Sequence, residues 1–597
     1  MGDGSAVRLV ILREIPEDQN LRHQWNTLVH EMECPQVFYT YEWATAVQRA
    51  YGGSLVPLLM LAYEGESLVG LAALATNQAQ QKVCFLTTTT ADYCDFVSHP
   101  RRRPELIEAV FAQLQAIDPG VLELANLPAD SASARAIGLS GRAHGFRVYS
   151  RPAYACAQVV LGTAEQRQAL QDSLLRKKIV RRSITALQRH SPVSLSHLRT
   201  WDRVQDVLPG FLQAHVARFL ATGRISNLVQ SDRRVFLTEL AKLLSESGWL
   251  TLTRLLIGER PVAWNYGFRF AESWFWYQPT FDSDLEQYSP GFCLLSKMIA
   301  EACDSPGIDV VDLGLGAEGY KDRFATATRG TLHLTMTTSL RRYLKAAARY
   351  QAAQAAALTP RVERGIRYFV TQYKKIRDLI RNKKSSGFLA WTAKRVLRNF
   401  FGRKEILFYQ VSVLEISKTI GNSWSATTLK NLDLNLLSTS AMANANDPET
   451  LDYLLRSANR LRSGAGQGFA LVNAEDIPIH FCWVDSFEGF YMAELNLKLA
   501  GASSDAVMLF DCWTPVSQRG RGYYGAAIQL IAEHFQKQQK SVWIFSAASN
   551  TPSIRGVGKL DLQTRFSLSR RKFLLWQKVN KVAFARVPVA AKEVSVA

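Results

Sequence analysis

DAVMLFDCWTPVSQRGRGYYGAAIQLIAEHFQKQQKSVWIFSAASNTPSIRGVGKLDL, residues 505–562, is the stretch that best indicates the fold class. An apolar strand is predicted to end at Trp513, and a turn follows with Arg-Gly-Arg-Gly at residues 519–522. A helix is predicted next, because apolar side chains recur there near the helical period. A second apolar strand, residues 542–545, completes a strand–turn–helix–strand order that predicts an α/β fold.

The glycine-containing turn is typical of an anion-binding site. Glycines let the backbone approach a ligand closely, and N–H groups at the helix start point outward at the positive end of the helix dipole. Such a site suits a pyrophosphate. A structural turn that binds nothing is the alternative. The cofactor-binding residues predicted in this turn are Gln518, Arg519, Gly520, Arg521, Gly522, Tyr523 and Tyr524.

The same stretch resembles the GNAT acyltransferase superfamily, which binds acyl-CoA with an [R/Q]-x-x-G-x-[G/A] loop between a strand and a helix. Arg519 and Gly522 fit this pattern, and residues 550–553 with 559–560 resemble the family's N-x-x-S…K-x-G-F segment. The resemblance adds Asn550 and Ser553 to the cofactor-binding residues. It implies acyl-CoA, such as acetyl-CoA, as co-substrate and no metal.

Three positions depart from the family pattern. Tyr524 stands where the family prefers Gly or Ala, and Asp561 replaces the glycine of the second segment. Val557 occupies the position where many members have a tyrosine that protonates the leaving thiolate. These departures favour an alternative in which degenerate GNAT domains bind or scaffold without catalysis.

A second resemblance covers roughly residues 20–340. The sequences WFWYQPTFD (274–282), YSPG (288–291) and DLGLGAEGYKDRF (312–324) resemble, in order, the CelD-like acetyltransferases of cellulose and exopolysaccharide synthesis. That family has the FemAB-like tandem GNAT fold. The resemblance implies catalytic roles for Asp282, Glu318 and Tyr320 and cofactor binding by Gly314, Gly316 and Lys321.

The residue chemistry of this second segment agrees with such roles. Strand-end glycines expose backbone N–H groups, and Lys321 supplies a positive charge for an anion. Glu318 is suited to accept a proton from an attacking amine or hydroxyl. The alternative is structural: Asp312 and Glu318 pair with the following cations and hold a turn. Asp92 and Asp95, in an earlier connection, could face a substrate, but a solvated loop pair is the favoured prediction.

The composition bounds the class of protein. A chain of 597 residues with 47% hydrophobic and 21% charged residues is expected to be globular with three or four domains. The sequence has no run of 18 apolar residues, so no membrane span is predicted. The N-terminus does not resemble a signal peptide. Eight scattered cysteines without a CxxC predict buried thiols in a reducing compartment. We therefore expect a cytoplasmic location.

Basic charge is concentrated in residues 341–404. This segment has 18 Lys and Arg and two acids, and so carries +16 of the chain's net charge of +19. Helices are predicted at 341–358, 362–380 and 388–401. Their basic and aromatic residues suit an interdomain linker, a peripheral position on an anionic inner-membrane face, or an anionic polymer. Nucleic acid, which is one such anionic polymer, is not the expected partner. A further basic stretch, 173–190, is predicted to be a helix whose basic face is solvated or, as the alternative, meets phosphates or an anionic polymer.

The predicted fold class is α/β (α+β), with three GNAT-like modules of mixed central sheets flanked by helices. The predicted domains are two lobes, 1–150 and 151–340, a basic helical linker, 341–404, and a C-terminal GNAT domain, 405–597. In that last domain, 429–437 is predicted to be a helix and 489–497 a strand. Glu494 on that strand, or Asp511 on the next, is the expected base.

The expected activity is acyl transfer from a CoA thioester to an amine or hydroxyl, such as a sugar or polysaccharide precursor. Backbone N–H groups would hold the pyrophosphate, and a strand amide would polarise the thioester carbonyl. Two alternatives stay open: a non-catalytic scaffold at a membrane surface, and a FemAB-like transferase that depends on aminoacyl-tRNA.

Overall fold

The structure is a computed structural model, which describes residues 7–189, 191–316, 319–357, 401–411, 427–500, 505–560, 562, 564–573 and 576–583. The described residues divide into two compact units. Unit 1 lies within Met1–His215 and Gln230–Glu363, and unit 2 within Val216–Val229 and Arg364–Ala597. Glu318 and Asp561, two positions that the sequence singled out, lie outside the described residues.

One mixed sheet organises unit 1, and thirteen strands of the described residues belong to it. They are β1 (Arg8–Leu12), β2 (Leu55–Glu64), β3 (Ser67–Asn77), β4 (Lys82–Phe85), β5 (Val97–Ser98), β6 (Leu122–Pro128), β7 (Arg147–Val160), β8 (Val193–Leu198), β9 (Leu250–Ile257), β10 (Arg260–Phe270), β11 (Ser273–Phe281), β12 (Val310–Asp312) and β13 (Ala327–Thr337). The strand order is β1-β2-β3-β4-β6-β13-β7-β12-β11-β10-β9-β8, with β5 on β3. The long strand β7 pairs with both β13 and β12, so it joins the two halves of the sheet.

Helices flank this sheet. Those between residues 7 and 357 are α1 (Gln19–His30), α2 (Tyr41–Tyr51), α3 (Arg103–Ile117), α4 (Ala132–Ala143), α5 (Ala164–Arg176), α6 (Lys178–Gln188), α7 (Trp201–Val204), α8 (Leu208–Ala221), α9 (Ser231–Glu246), α10 (Pro290–Asp304) and α11 (Leu340–Ala357). Helix α10 is typical of their packing, because Leu294, Leu295 and Met298 form one fully buried face. That face joins the core above β11 and β12.

Unit 2 has a second mixed sheet, of eight strands in the described residues. Its elements are β14 (Phe401–Val411), β15 (Thr428–Asn431), α12 (Leu434–Ala443), α13 (Pro448–Ser463), β16 (Gln467–Val472), β17 (Pro478–Ser486), β18 (Tyr491–Met492), β19 (Leu497–Lys498), β20 (Ala506–Trp513), α14 (Tyr523–Gln536), β21 (Ser541–Ala547), α15 (Thr551–Gly558), β22 (Thr564–Phe573) and β23 (Trp576–Ala583). The order is β15-β16-β17-β20-β21-β14-β22-β23, and β18 pairs with β19 alone.

A common arrangement occurs three times in the described residues. Each time two strands pair in parallel and are joined through a helix: β4 and β6 through α3, β11 and β12 through α10, and β20 and β21 through α14. The second strand of each pair has an antiparallel neighbour, which is β13, β7 and β14 respectively. The predicted fold class, α/β with mixed sheets flanked by helices, is confirmed.

Two predictions in unit 2 are wrong. Residues 429–437 are not one helix: Leu429 pairs with Leu471 in the sheet, and Asp433 caps a helix that begins at Leu434. Residues 489–497 are not one strand, because backbone φ is +78° at Gly489 and +56° at Asn496. Left-handed residues end an extended strand, so only the short strands β18 and β19 form.

Two predictions on basic segments also need correction. The predicted single helix 173–190 is instead parts of two helices, α5 up to Arg176 and α6 from Lys178 to Gln188, because Lys177 between them has an extended ψ of 126°, and His190 lies outside the described residues. Phe401 begins strand β14 rather than ending a helix, while 388–400 and the predicted helix 362–380 lie outside the described residues. No helix in the described ranges has the length and apolar character needed to span a bilayer.

Candidate functional site

The parallel strands β20 and β21 separate part of the way along their length. Their last paired residues are Leu509 and Ile544, although β20 continues to Trp513 and β21 to Ala547. Beyond that pair, the edge N–H and C=O groups of β20 face an opening instead of a neighbouring strand. The opening is part of a cleft of about 1630 Å³.

The predicted glycine turn lies at the mouth of this cleft. Gly520 and Gly522 both have φ of +81°, a left-handed conformation that glycine adopts without strain. Gly522 is the N-cap of α14, and both glycines line the cleft. The N–H groups of the first turn of α14 and the positive end of its dipole therefore begin at the opening, which favours an anionic ligand there.

Most residues that the sequence predicted for cofactor binding in unit 2 come together here. The described residues that line the cleft include Gln518, Arg519, Gly520, Gly522, Tyr523, Tyr524, Asn550 and Ser553. Arg521 is exposed on the turn and is not among them. Asn550 caps helix α15, and its side-chain oxygen accepts a hydrogen bond from the backbone N–H of Ser553.

Arg519 is positioned by three neighbours. Its guanidinium lies 5.0 Å from the ring centroid of Trp513, and its Nε donates to the carbonyl oxygen of Thr514 at 3.1 Å. A carboxylate oxygen of Glu449 lies 3.6 Å from its Nη2. The side chain is 46% exposed, so its charge is available at the cleft mouth.

Tyr524 crosses from α14 to α15. Its hydroxyl lies 3.2 Å from Ser553 Oγ, and its ring packs on Gly556, where an added Cβ would be 2.6 Å from the ring. Burial raises the pKa of the Tyr524 phenol above its usual range, and the nearby Cys512 thiol adds to the shift. The tyrosine thus occupies the gap between the two helices with its proton in place.

Val557 is fully buried in the core formed by β20, β21 and α14. An apolar side chain at this position has no proton to donate. The hydroxyl groups that line the cleft on this side are instead those of Tyr524 and Ser553.

Asp511 lies at a β-bulge on β20. Phe481 of β17 pairs with Trp513 of β20, and Trp483 pairs with Phe510, so β20 has one extra residue between these two pairs. Asp511 lies in this interval and has a φ of +46°. Its carboxylate accepts a hydrogen bond from Arg460 at 2.8 Å, and its carbonyl oxygen accepts one from the Tyr453 hydroxyl at 3.0 Å. This carboxylate is held as an ion pair and is poorly placed to act as a base.

Glu494 lies in the turn between β18 and β19 and not on a strand, which corrects its predicted position. It is exposed and lines the cleft. Of the two carboxylates that the sequence proposed as a base in this domain, Glu494 is therefore the more accessible.

His480 was not predicted from the sequence. It lies on β17, is 1% exposed and lines the cleft. Its Nδ1 is 2.8 Å from Thr514 Oγ1, and its ring centroid is 5.9 Å from that of Tyr524. Burial lowers its pKa to about 3, so the imidazole is neutral near pH 7. The only sequence signal was a lone histidine in the otherwise apolar strand PIHFCWV.

Unit 1 contains a buried polar cluster where β11 and β12 end their pairing, at Phe275 and Asp312. Asp312 is 2% exposed and accepts three hydrogen bonds. The donors are the Tyr93 hydroxyl at 2.9 Å, Gln158 Nε2 at 2.8 Å and the Gly314 N–H at 2.8 Å. Burial raises the pKa of Asp312, and the three donors oppose that shift.

Asp92 belongs to the same cluster, so the prediction of a solvated loop pair is wrong. Burial, followed by the negative charge of Asp312, raises the pKa of Asp92 to about 7, while Lys321 opposes the shift. Asp95 is buried, and its carboxylate accepts hydrogen bonds from Ser131 Oγ and the Phe96 N–H. Asp92 is partly buried, and its carboxylate faces Asp312 and Lys321 from the second half of the sheet.

Gly314, Gly316 and Lys321 lie beside this cluster. Backbone φ is +70° at Gly314 and +114° at Gly316, and Lys321 is 5% exposed with its Nζ donating to the Leu315 carbonyl oxygen at 2.7 Å. The structure therefore brings the three predicted residues to one loop. Lys321 neutralises buried charge there.

Replacement of Gly314 by alanine should destabilise unit 1. The left-handed φ disfavours any Cβ, and an alanine Cβ would lie 2.4 Å from Asp92 Oδ2. We expect the free energy of unfolding to fall by about 2–4 kcal/mol, as measured by denaturant unfolding. Gly319→Ala is the matched control, because a Cβ there has no neighbour within 4 Å. Equal stability of the two variants would contradict the prediction.

The other predicted catalytic residues of unit 1, Asp282 and Tyr320, have different surroundings. Asp282 caps a short 3₁₀ helix and pairs with Arg260 at 2.5 Å. The Tyr320 hydroxyl accepts a hydrogen bond from Trp276 Nε1 at 3.0 Å. Asp282 thus has a structural partner, while Tyr320 lies near the glycine loop. Among the described residues, no group of three or more His, Cys, Asp and Glu side chains is arranged to hold a metal ion.

Comparison with known proteins gives one family match. Residues 175–322 match the model of the acetyltransferase (GNAT) domain, a segment that contains Asp312, the glycine loop and Lys321. No curated protein matches the chain.

Solved structures with similarity to the chain include FemX, at 8% identity and a TM-score of 0.40, covering 54% of this chain and 97% of FemX. A tandem GNAT protein of clavulanic acid biosynthesis has 13% identity and a TM-score of 0.34, covering 56% and 99%. The C-terminal domain of a putative lysylphosphatidylglycerol synthetase from Agrobacterium fabrum has 11% identity and a TM-score of 0.35, covering 55% and 94%.

Proposed function

We propose that this chain is a GNAT-type acyltransferase that moves an acetyl or longer acyl group from CoA to an amine or hydroxyl. One observation carries the proposal. Strands β20 and β21 separate after Leu509 and Ile544 over a large cleft whose mouth has a glycine turn and a helix N-terminus. A thioester with a pyrophosphate at its other end suits a site that is anion-binding at the mouth and lined by strand amides within.

In the proposed binding mode, CoA extends from the mouth of the cleft inward along β20. The N–H groups at the start of α14, with the Arg519 guanidinium, hold the pyrophosphate. The pantetheine arm lies along the edge of β20 beyond Leu509, where backbone groups lack a neighbouring strand. An N–H near the bulge at Asp511 polarises the thioester carbonyl.

Glu494 takes the proton of the acceptor in this proposal. The acceptor nitrogen or oxygen bonds to the acyl carbon, the C–S bond breaks, and the electron pair leaves with the sulfur as CoA thiolate. The proton on Glu494 returns to solvent, and the thiolate is protonated from the cleft. Positioning of the two substrates contributes a large part of the rate. The CelD-like resemblance of residues 20–340 suggests a polysaccharide precursor as the acceptor.

Binding without catalysis is the second candidate function, and one observation favours it. Tyr524 fills the gap between α14 and α15, and Val557 is buried and has no proton to donate. A chain of this kind would bind a nucleotide-like ligand and present it, or act as a scaffold, without breaking a thioester.

Thiol release separates these candidates. We expect the full chain to release CoA thiol from acetyl-CoA when amines and amino sugars are supplied as acceptors, and to bind acetyl-CoA in a calorimetric titration. Binding without thiol release supports the scaffold. Absence of both, together with protection of an aminoacyl-tRNA from hydrolysis, would replace the acyl-CoA proposal with a tRNA-dependent one.

A further inference from the structure

One buried nitrogen atom in the cleft has no protein partner. His480 Nε2 is fully buried and makes no hydrogen bond within the described residues, whereas Nδ1 of the same ring is 2.8 Å from Thr514 Oγ1. Buried polar atoms in folded proteins almost always have a partner, and an exception calls for an explanation. Here the residue lines a large cleft, so a bound ligand is a direct explanation.

The position of His480 indicates which part of a ligand it meets. Phe481, the next residue on β17, pairs with Trp513, which places His480 level with Thr514 at the end of β20. The glycine turn begins five residues after Thr514, at Arg519, whose Nε donates to the Thr514 carbonyl oxygen. The imidazole therefore lies just inside the mouth, between the proposed pyrophosphate position and the separated strands.

The charge state of the imidazole limits the kind of chemical group that it can bind. Burial lowers the pKa of His480 to about 3, so the imidazole carries no charge near pH 7. A phosphate gains most from cationic or helix-terminal donors, and the guanidinium of Arg519 and the start of α14 supply them at the mouth. A neutral imidazole is suited to a neutral polar group, such as an amide or a hydroxyl.

Tyr524 lies beside the imidazole ring of His480. Its ring is tilted by 59° to the imidazole with the centroids 5.9 Å apart, and its hydroxyl is 3.2 Å from Ser553 Oγ. The Tyr524 ring therefore packs beside the imidazole at the start of α14.

We propose that His480 Nε2 hydrogen-bonds an uncharged amide or hydroxyl of the ligand's pantetheine arm. The inference rests on the proposed function for the identity of the ligand. It adds a specific contact between His480 and the pantetheine arm. Strand β17, which is separate from the glycine turn, therefore takes part in recognition of the arm. The tautomer at His480 follows the ligand, because the Thr514 hydroxyl can donate to Nδ1 or accept from it.

The test is a calorimetric titration of the full chain with three probes: CoA, pantetheine, which lacks the phosphates, and adenosine 3′,5′-bisphosphate, which lacks the arm. His480→Phe keeps an aromatic ring at this position but removes the imidazole nitrogen atoms. We expect it to weaken binding of CoA and pantetheine about tenfold, the usual size of one lost hydrogen bond, and to leave the bisphosphate unchanged. Gly522→Asp should give the opposite pattern, with the bisphosphate weakened and pantetheine spared.

A second measurement protects the test from a folding defect. In protein with ¹⁵N-labelled histidine, the Nε2 resonance assigned by its absence in His480→Phe should shift on addition of CoA to the wild-type chain. Unchanged CoA affinity in His480→Phe, or an equal loss for all three probes, overturns the inference but leaves the proposed function intact. A wild-type chain that binds none of the probes overturns both.

Discussion

Gly522→Asp is expected to weaken CoA binding at least about 100-fold, because it places a carboxylate in the proposed pyrophosphate site. A like charge a few ångströms from a phosphate costs on the order of 4 kcal/mol near a protein surface. Gly522 has φ of +81°, where a side chain is strained, but aspartate adopts left-handed φ more readily than most residues, so the charge is expected to outweigh the strain in its effect on binding. Calorimetric titration of the full chain with CoA measures the effect.

Gly522→Asn is the matched control for this prediction. Asparagine has nearly the same shape and a similar tolerance of left-handed φ, so it carries the same backbone strain, but it has no charge. We expect it to retain most of the CoA affinity, so the difference between the two variants isolates the electrostatic term. If both variants bind CoA as the wild type does, the phosphates do not lie at the start of α14.

Asp92→Asn is expected to change the stability of unit 1 in a manner that depends on pH. In the folded chain the pKa of Asp92 is raised to about 7, whereas an unfolded aspartate titrates near 3.9. Between these values the folded state keeps a proton that the unfolded state releases, so wild-type stability falls as the pH rises through this window. The total penalty is on the order of 4 kcal/mol and is constant above about pH 7.

Asparagine resembles the protonated carboxyl and does not titrate, so the variant lacks this penalty. Its unfolding free energy minus that of the wild type should therefore increase from about pH 4 to about pH 7 and then level off. Denaturant unfolding followed at several pH values measures the difference. Asp322→Asn is the control, because Asp322 is exposed on the same short helix as Lys321. A difference for Asp92→Asn that is independent of pH would show that Asp92 titrates normally.

The two sites differ in how the charge is arranged. In unit 2 the Arg519 guanidinium is half exposed at the cleft mouth, while the cleft is also lined by the paired charges of Arg460 and Asp511 and by the neutral His480. In unit 1 the partly buried Asp92 carboxylate lies beside the buried Asp312 and Lys321 side chains. The first arrangement suits a ligand that is anionic at one end, and the second suits storage of a proton near neutral pH.

Local patterns in the sequence were sufficient for the elements around the glycine turn. The strand that ends at Trp513, the helix with Ile528, Ile531 and Phe535 buried, and the strand through residues 542–545 all form as predicted. Side-chain period and glycine position act within a few residues, so a single segment carries the information. Where a local signal was mixed, as at 429–437 and 489–497, pairing with distant strands and left-handed residues decided the outcome.

Contacts between distant segments decided the rest of the candidate sites. Tyr93 and Asp312 are 219 residues apart in sequence and 2.9 Å apart in the fold, and the raised pKa of Asp92 depends on the same packing. His480 became a candidate only when β17 came to lie beside Thr514 and the mouth of the cleft. By itself the sequence determined the fold class and the position of the glycine turn before α14, because both follow from local periodicity and backbone freedom. Tertiary structure alone decided which polar groups are buried, because burial depends on chain segments that no local pattern brings together.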